Sequence, residues 1–350
     1  MDIDLDYGTT RIGRLEGRCL GQNPRGRPAA VEIRVGDTWA SPTPRFWKSF
    51  AHRFHISESV FRYFSPDEVF ARVAQRNADD RVSYCLERNE GKKPRLLAIT
   101  SPKRPPMRPE RLIPLARRYG GSELEYDEGR LTSVHVPRSG ENVFAIRGDT
   151  FRCRYVLRAP LDGYGSPQIH LSLLREICSN GLVAYSSAFR SEIRVAGEPL
   201  YSVERALETF DNDEGFSALR QRFDAAQTSW ASLNECNGLY RKLVKAVRHQ
   251  TDDSSLIERF HGLCGRVQEF YGLANLDALS IKRQRVLPAR CRVYDLLNFA
   301  SEVATHHVEA SGRTILNAWI GSTVSDEYDL ENTARDDTEF EDLFCGEIDE

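Results

Sequence analysis

The sequence predicts an α+β fold: an antiparallel sheet of hairpins backed by one helix and followed by a helical C-terminal region. Three observations predict it. Residues 81–100 and 142–158 alternate apolar and polar side chains with a period of two and are interrupted by turn dipeptides. The stretch from Ser166 to Val195 reads as a helix, a tight stop and a strand. Beyond residue 201, apolar side chains recur every three or four positions, as they do along the buried stripe of a helix.

Taken in order, residues 1–41 are rich in Gly, Arg and Pro and hold one strand, Val31 to Val35, so the arm is expected to be basic and in part mobile. A core domain is expected over 42–200. It opens with short helices, the second announced by Ser65, Pro66 and Glu68 in a capping-box pattern. Phe46, Trp47, Phe50, Phe54 and Phe61 are interleaved there with Arg45, Lys48 and Arg53, an arrangement that can stack bases. Aromatics at helical spacing are more simply a core face with a solvated basic back.

RVSYCLER and RLLAIT then form a hairpin around Asn89-Glu90-Gly91. In SPKRPPMRPERLIP, Lys103, Arg104, Arg108 and Arg111 stand among five prolines, which predicts an exposed, non-helical loop that is either a connector or a phosphate contact. A second hairpin turns at Gly148-Asp149. Along its second strand Phe151, Cys153, Tyr155 and Leu157 face one way, and Arg152, Arg154 and Arg158 face the other with Val156 between them.

Ser166-Pro167 is a helix start, Ile169, Leu173, Leu174, Ile177 and Cys178 make a stripe, and Asn180-Gly181 suits a left-handed stop. In the strand that follows, Arg190, Glu192 and Arg194 oppose Phe189, Ile193 and Val195. The expectation is therefore that Arg152, Arg154, Arg158, Arg190 and Arg194 share one solvent-facing side of the sheet and, with Lys103, Arg104 and Arg108, form a nucleic-acid interface.

The run LREICSNGLV, residues 174–183, resembles the R-x-x-C-[ST]-N-G-[LM] signature of the phage/plasmid-like proteins, a family known as domain of unknown function 932. Arg175, Cys178, Asn180 and Gly181 are its motif residues. YDLLNFASEVATH, residues 294–306, is similar to that family's N-A-x-x-E-x-x-x-H helix, with Phe299 where alanine is usual. The resemblance covers the middle and C-terminal thirds better than the first. It implies a setting in prophages, plasmids and other mobile DNA and supplies no reaction.

No catalytic residue, metal site or cofactor follows from the residues. Cys178 at the C-terminal end of a helix would face the negative end of the dipole, which opposes thiolate formation and favours a packing role. His52 and His55 have no third ligand at a local spacing, and no P-loop, G-x-G-x-x-G, G-x-S-x-G or H-E-x-x-H occurs. The eight cysteines are scattered without a C-x-x-C pair and read as reduced thiols. No run approaches the ~20 apolar residues of a membrane span, so a cytoplasmic protein without a membrane partner is expected.

The chain carries a net charge of −3. Residues 326–350 hold twelve Asp/Glu against one Arg, a net of −11, which leaves +8 on everything before them. A helical region is expected over 201–321, and 322–350 is expected to be a disordered acidic tail with Phe340 and Phe344 as a docking point for a protein partner. These features describe a nucleic-acid-binding protein of a mobile genetic element, DNA before RNA, that binds or anneals single strands and self-associates. The alternatives are a metal-dependent enzyme acting on nucleic acid and a non-catalytic assembly or host-interaction protein.

Overall fold

The computed structural model describes residues 3–22, 28–138, 142–146, 149–175, 180–183, 190–210, 213–247, 253–265 and 279–324. The fold is α+β with helices concentrated toward the C-terminal end. In chain order the strands and helices are β1 (Leu5–Arg11), β2 (Glu16–Gln22), β3 (Pro28–Val35), β4 (Thr38–Pro42), α1 (Pro44–Phe54), α2 (Pro66–Arg76), β5 (Arg81–Glu87), β6 (Arg95–Thr100), α3 (Pro109–Arg118), β7 (Ser122–Asp127) and β8 (Arg130–His135). There follow β9 (Val143–Ile146), β10 (Asp149–Pro160), β11 (Gln168–Arg175), β12 (Asn180–Val183), β13 (Arg190–Glu192), α4 (Pro199–Glu208), α5 (Asp213–Thr228), β14 (Trp230–Ser232), α6 (Leu233–Val247), α7 (Asp253–Cys264), α8 (Ile281–Val286), β15 (Pro288–Arg292), α9 (Val293–His306) and α10 (Ala310–Thr323).

Two compact units are woven from one chain. Unit one comprises Met1–Ser133, Leu157–Gln168 and Glu192–Thr209; unit two comprises Val134–Val156, Ile169–Ser191 and the chain from 210 onward. The passages between them therefore do not fall at the expected boundaries after residues 41 and 200.

Unit one is built on a six-stranded sheet in the order β1-β5-β6-β4-β3-β2. β1 runs antiparallel to β5, Tyr7 opposite Cys85 and Arg11 opposite Arg81, while β4 and β6 are parallel. Here the expectation of an N-terminal arm that is in part mobile is corrected for its described residues, because 5–22 and 28–42 supply four of the six strands. The charges that suggested mobility are placed for pairing across strands. Arg34 lies opposite Glu16 and Arg18 opposite Glu32, with N to O distances of 3.2 and 2.6 Å, and Arg18 also covers the Trp39 ring at 4.0 Å.

The aromatic segment with basic residues is core. Phe46 and Phe50 of α1 are buried with Ile33, Val35, Val69 and Phe70, and the rings of Phe50 and Phe70 are 5.3 Å apart. Thr43 caps α1 by accepting from the Phe46 backbone N–H at 3.1 Å. The Pro-rich segment is also corrected, because its second half is α3. Pro109 occupies the first turn, where no N–H is needed, and the hydrogen bond lost at Pro114 is offset by burying Leu112, Leu115 and Ala116.

In unit two, β10 pairs with β9, β11 lies beside β10, and β12 pairs with β11. The predicted helix over 166–178 is not formed: residues 168–175 are strand, and Arg175 stands opposite Asn180 in the ladder to β12. Two periodicities competed in this stretch. Ile169, Leu171 and Leu173 satisfy a period of two, all three are buried, and Leu171 and Leu173 join the core of the helices, so Asn180-Gly181 opens a return strand instead of closing a helix. The core continues through Leu219, Phe223, Leu239, Leu243, Leu296 and Ile320, and β14 pairs antiparallel with β15. α10 ends at Thr323, past the expected tail boundary, and residues 325–350 lie outside the described residues. Among the described residues no helix is long and apolar enough to cross a membrane.

Candidate functional site

Sequence reasoning placed five arginines on one open face of a sheet, and the structure does not provide that face. Arg152 and Arg190 of unit two are exposed, but Arg154 between them in sequence is only 7% exposed. Val156, on the same alternation, is 3% exposed, so this side of β10 is covered at Arg154 and Val156, as is the side carrying Phe151 and Cys153. In unit one Arg158 is half-buried and Arg194 exposed. Of the motif residues, Arg175, Asn180 and Gly181 lie in β11 and β12, and Cys178 lies outside the described residues.

The Pro-rich segment does contribute to a site. Lys103 is exposed, Arg104 donates to the Ser166 hydroxyl at 3.3 Å, and Arg111 pairs with Glu198 at 2.7 Å. The exposed Arg108 guanidinium lies 5.7 Å from the centre of the Tyr7 ring. Together with β1 and β5 this segment encloses a cavity of about 380 Å3 whose lining includes Tyr7, Tyr84, Pro106, Met107 and Asp162.

Asp162 is held by a buried polar cluster of unit one. Arg45, at the start of α1, grips it with two hydrogen bonds: Nε donates to Oδ2 and Nη2 donates to Oδ1 at 2.8 Å. The Tyr164 backbone N–H donates to Oδ1 at 3.0 Å, and Arg45 also donates to the Tyr164 carbonyl at 2.5 Å. Gly129, at φ +80°, passes so close that a Cβ there would lie 3.0 Å from the Asp162 Cβ. Burial pushes the Asp162 carboxyl up from its ordinary range, opposed by Arg45. Nearby, burial and the like charges of Arg45 and Arg158 hold Arg130 down at about 10, which still leaves it a cation at neutral pH.

A second concavity of about 690 Å3 shares Thr9 with the first. It is lined by Arg11, Arg14, Arg34 and Arg81 with only Glu16 and Asp37 in opposition. Arg34 is paired with Glu16 and Arg81 donates to the Thr9 hydroxyl at 3.1 Å, whereas Arg11 and Arg14 are exposed and make no ion pair among the described residues. Four guanidinium groups around one polar hollow suit a polyanion, and two of them are available without giving up an existing partner.

Sequence reasoning missed this cleft because Arg11, Arg14 and Arg34 fell in the segment taken for a mobile arm. The signal that was present is the alternation of Leu5, Tyr7, Thr9 and Arg11, which marks one face of a strand. It also missed a cluster of buried thiols in unit two, Cys236, Cys264 and Cys291. The neighbouring thiols of Cys264 and Cys291, together with burial, raise the Cys236 thiol well above its usual range. Among the described residues no three His, Cys, Asp or Glu side chains are arranged to hold a metal ion.

The chain was compared with protein-family models, curated proteins and solved structures, and none of them matches it.

Proposed function

We propose that the protein binds nucleic acid through unit one, single strands before duplex and DNA before RNA, as a component of a phage- or plasmid-type element. The observation that carries this reading is the cleft of Arg11, Arg14, Arg34 and Arg81. Guanidinium groups match phosphate oxygens in geometry, and a row of them in a hollow follows a phosphodiester backbone without reading its sequence. The charge of +8 on the chain before residue 326 supports the same partner, and the mobile-DNA setting rests on the resemblance around Arg175 to Val183.

Filter binding of single- and double-stranded DNA and RNA over a range of salt concentrations tests it. Arg11→Gln with Arg14→Gln is expected to weaken binding to every sequence alike. The same pair should flatten the logarithmic salt dependence by about 0.7 for each single-strand phosphate that is no longer neutralised. An unchanged slope in the double variant would move the interface elsewhere; absence of binding at low salt by the parent protein would end the proposal.

A further inference from the structure

The cavity under the Pro-rich segment is made of groups that the arginine cleft leaves unused. At about 380 Å3 it falls in the size range of small-ligand sites and has room for a planar heteroaromatic ring. Pro105, Pro106 and Met107 give it an apolar wall, and Tyr7 and Tyr84 give it aromatic surface. The Tyr84 ring lies across Gly8, where a Cβ would be 2.2 Å from the Tyr84 hydroxyl, so its position depends on the absence of a side chain there.

One polar group in the wall still has capacity to bind. The Tyr7 hydroxyl is buried and has no hydrogen-bond partner among the described residues, a standing cost that a ligand would remove. The Asp162 carboxylate behind the wall is fully buried and already held by Arg45 and the Tyr164 backbone. At the mouth Arg108 adds a cation outside the Tyr7 ring.

We propose that this cavity receives one unstacked nucleobase of a bound single strand, an inference that rests on the nucleic-acid reading of the adjoining cleft. A base within a duplex has its faces stacked and its pairing edge occupied, so only a splayed base can enter. Tyr7 hydrogen-bonds the base edge, and Arg108 meets the phosphate outside.

The test compares the full chain's affinity for a labelled single strand and for an abasic strand with the same number of phosphates. The abasic strand is expected to bind about tenfold more weakly. Tyr7→Phe should lose about three- to tenfold on the base-bearing strand and nothing on the abasic one, while melting no lower than the parent protein. Equal affinities for the two strands would refute the base pocket and leave the arginine cleft intact; failure of both strands to bind at low salt would refute the nucleic-acid reading and the pocket with it. Saturable binding of a free nucleoside monophosphate, lost in Tyr7→Phe, with neither strand bound, would overturn the strand in favour of a nucleotide.

Discussion

Arg45 and Asp162 lie 117 positions apart and meet as a buried, doubly hydrogen-bonded ion pair, which no spacing rule applied to the sequence would have joined. Taking away Arg45 leaves the Asp162 carboxylate out of water, with the Tyr164 backbone N–H as its one remaining hydrogen-bond donor among the described residues. Arg45→Leu is therefore expected to destabilise the fold by about 3–5 kcal/mol at neutral pH in denaturant titrations. The loss should shrink on acidification. Burial already raises the Asp162 pKa, and without the guanidinium it must rise further above the ordinary 3.8, so the native state takes up a proton that the unfolded chain does not. Stability of the variant thus grows as pH falls through that raised value. A loss that is small, or flat with pH, would mean that Asp162 finds another cation. Arg154 carries the opposite lesson, since a correct alternation along β10 says which residues share a side and nothing about whether that side is open.

At the scale of elements, local chemistry was legible where the responsible groups are close in sequence. Ser65 and Glu68 form the reciprocal capping box that their spacing announces: the Glu68 carboxylate accepts from the Ser65 backbone N–H at 2.9 Å, and Ser65 accepts from the Glu68 N–H at 3.3 Å. The Ser65 backbone and hydroxyl hold Glu68 below its ordinary 4.5. A depressed carboxylate stabilises fully above the unfolded value and loses that contribution as pH falls through the depressed one. Glu68→Gln should accordingly lower stability near neutral pH and narrow the gap to the parent protein below about pH 4; a gap that widens on acidification would count against the cap. The hairpin of β5 and β6 and the helix over 293–306 were equally legible, from alternation and from three-and-four spacing. Residues 168–175 were not, because both periods fit them and burial of Ile169, Leu171 and Leu173 decided between them. The arginine cleft was hidden by composition: Gly, Pro and Arg in the first 41 residues resemble a linker until cross-strand pairs such as Arg18 with Glu32 are placed.

For the whole molecule, the governing fact is that the chain passes between the two units five times. A fragment of residues 1–133 contains most of unit one but lacks Asp162, so Arg45 would be buried alone at a cost of about 3–5 kcal/mol, a large share of a domain's stability. Such a fragment should show no cooperative thermal transition and poor amide dispersion, and extension to residue 209 should restore both. A folded 1–133 would show that the later segments merely decorate the sheet.

That weaving also constrains how the gene can change. A single crossover after codon 209 moves unit one entire, yet drags residues 134–156 and 169–191 of unit two along with it. Every earlier breakpoint makes unit one itself a hybrid. The two units thus cannot be traded as cassettes between diverged copies, and substitutions in the strands of one parent must stay compatible with the helices inherited beside them.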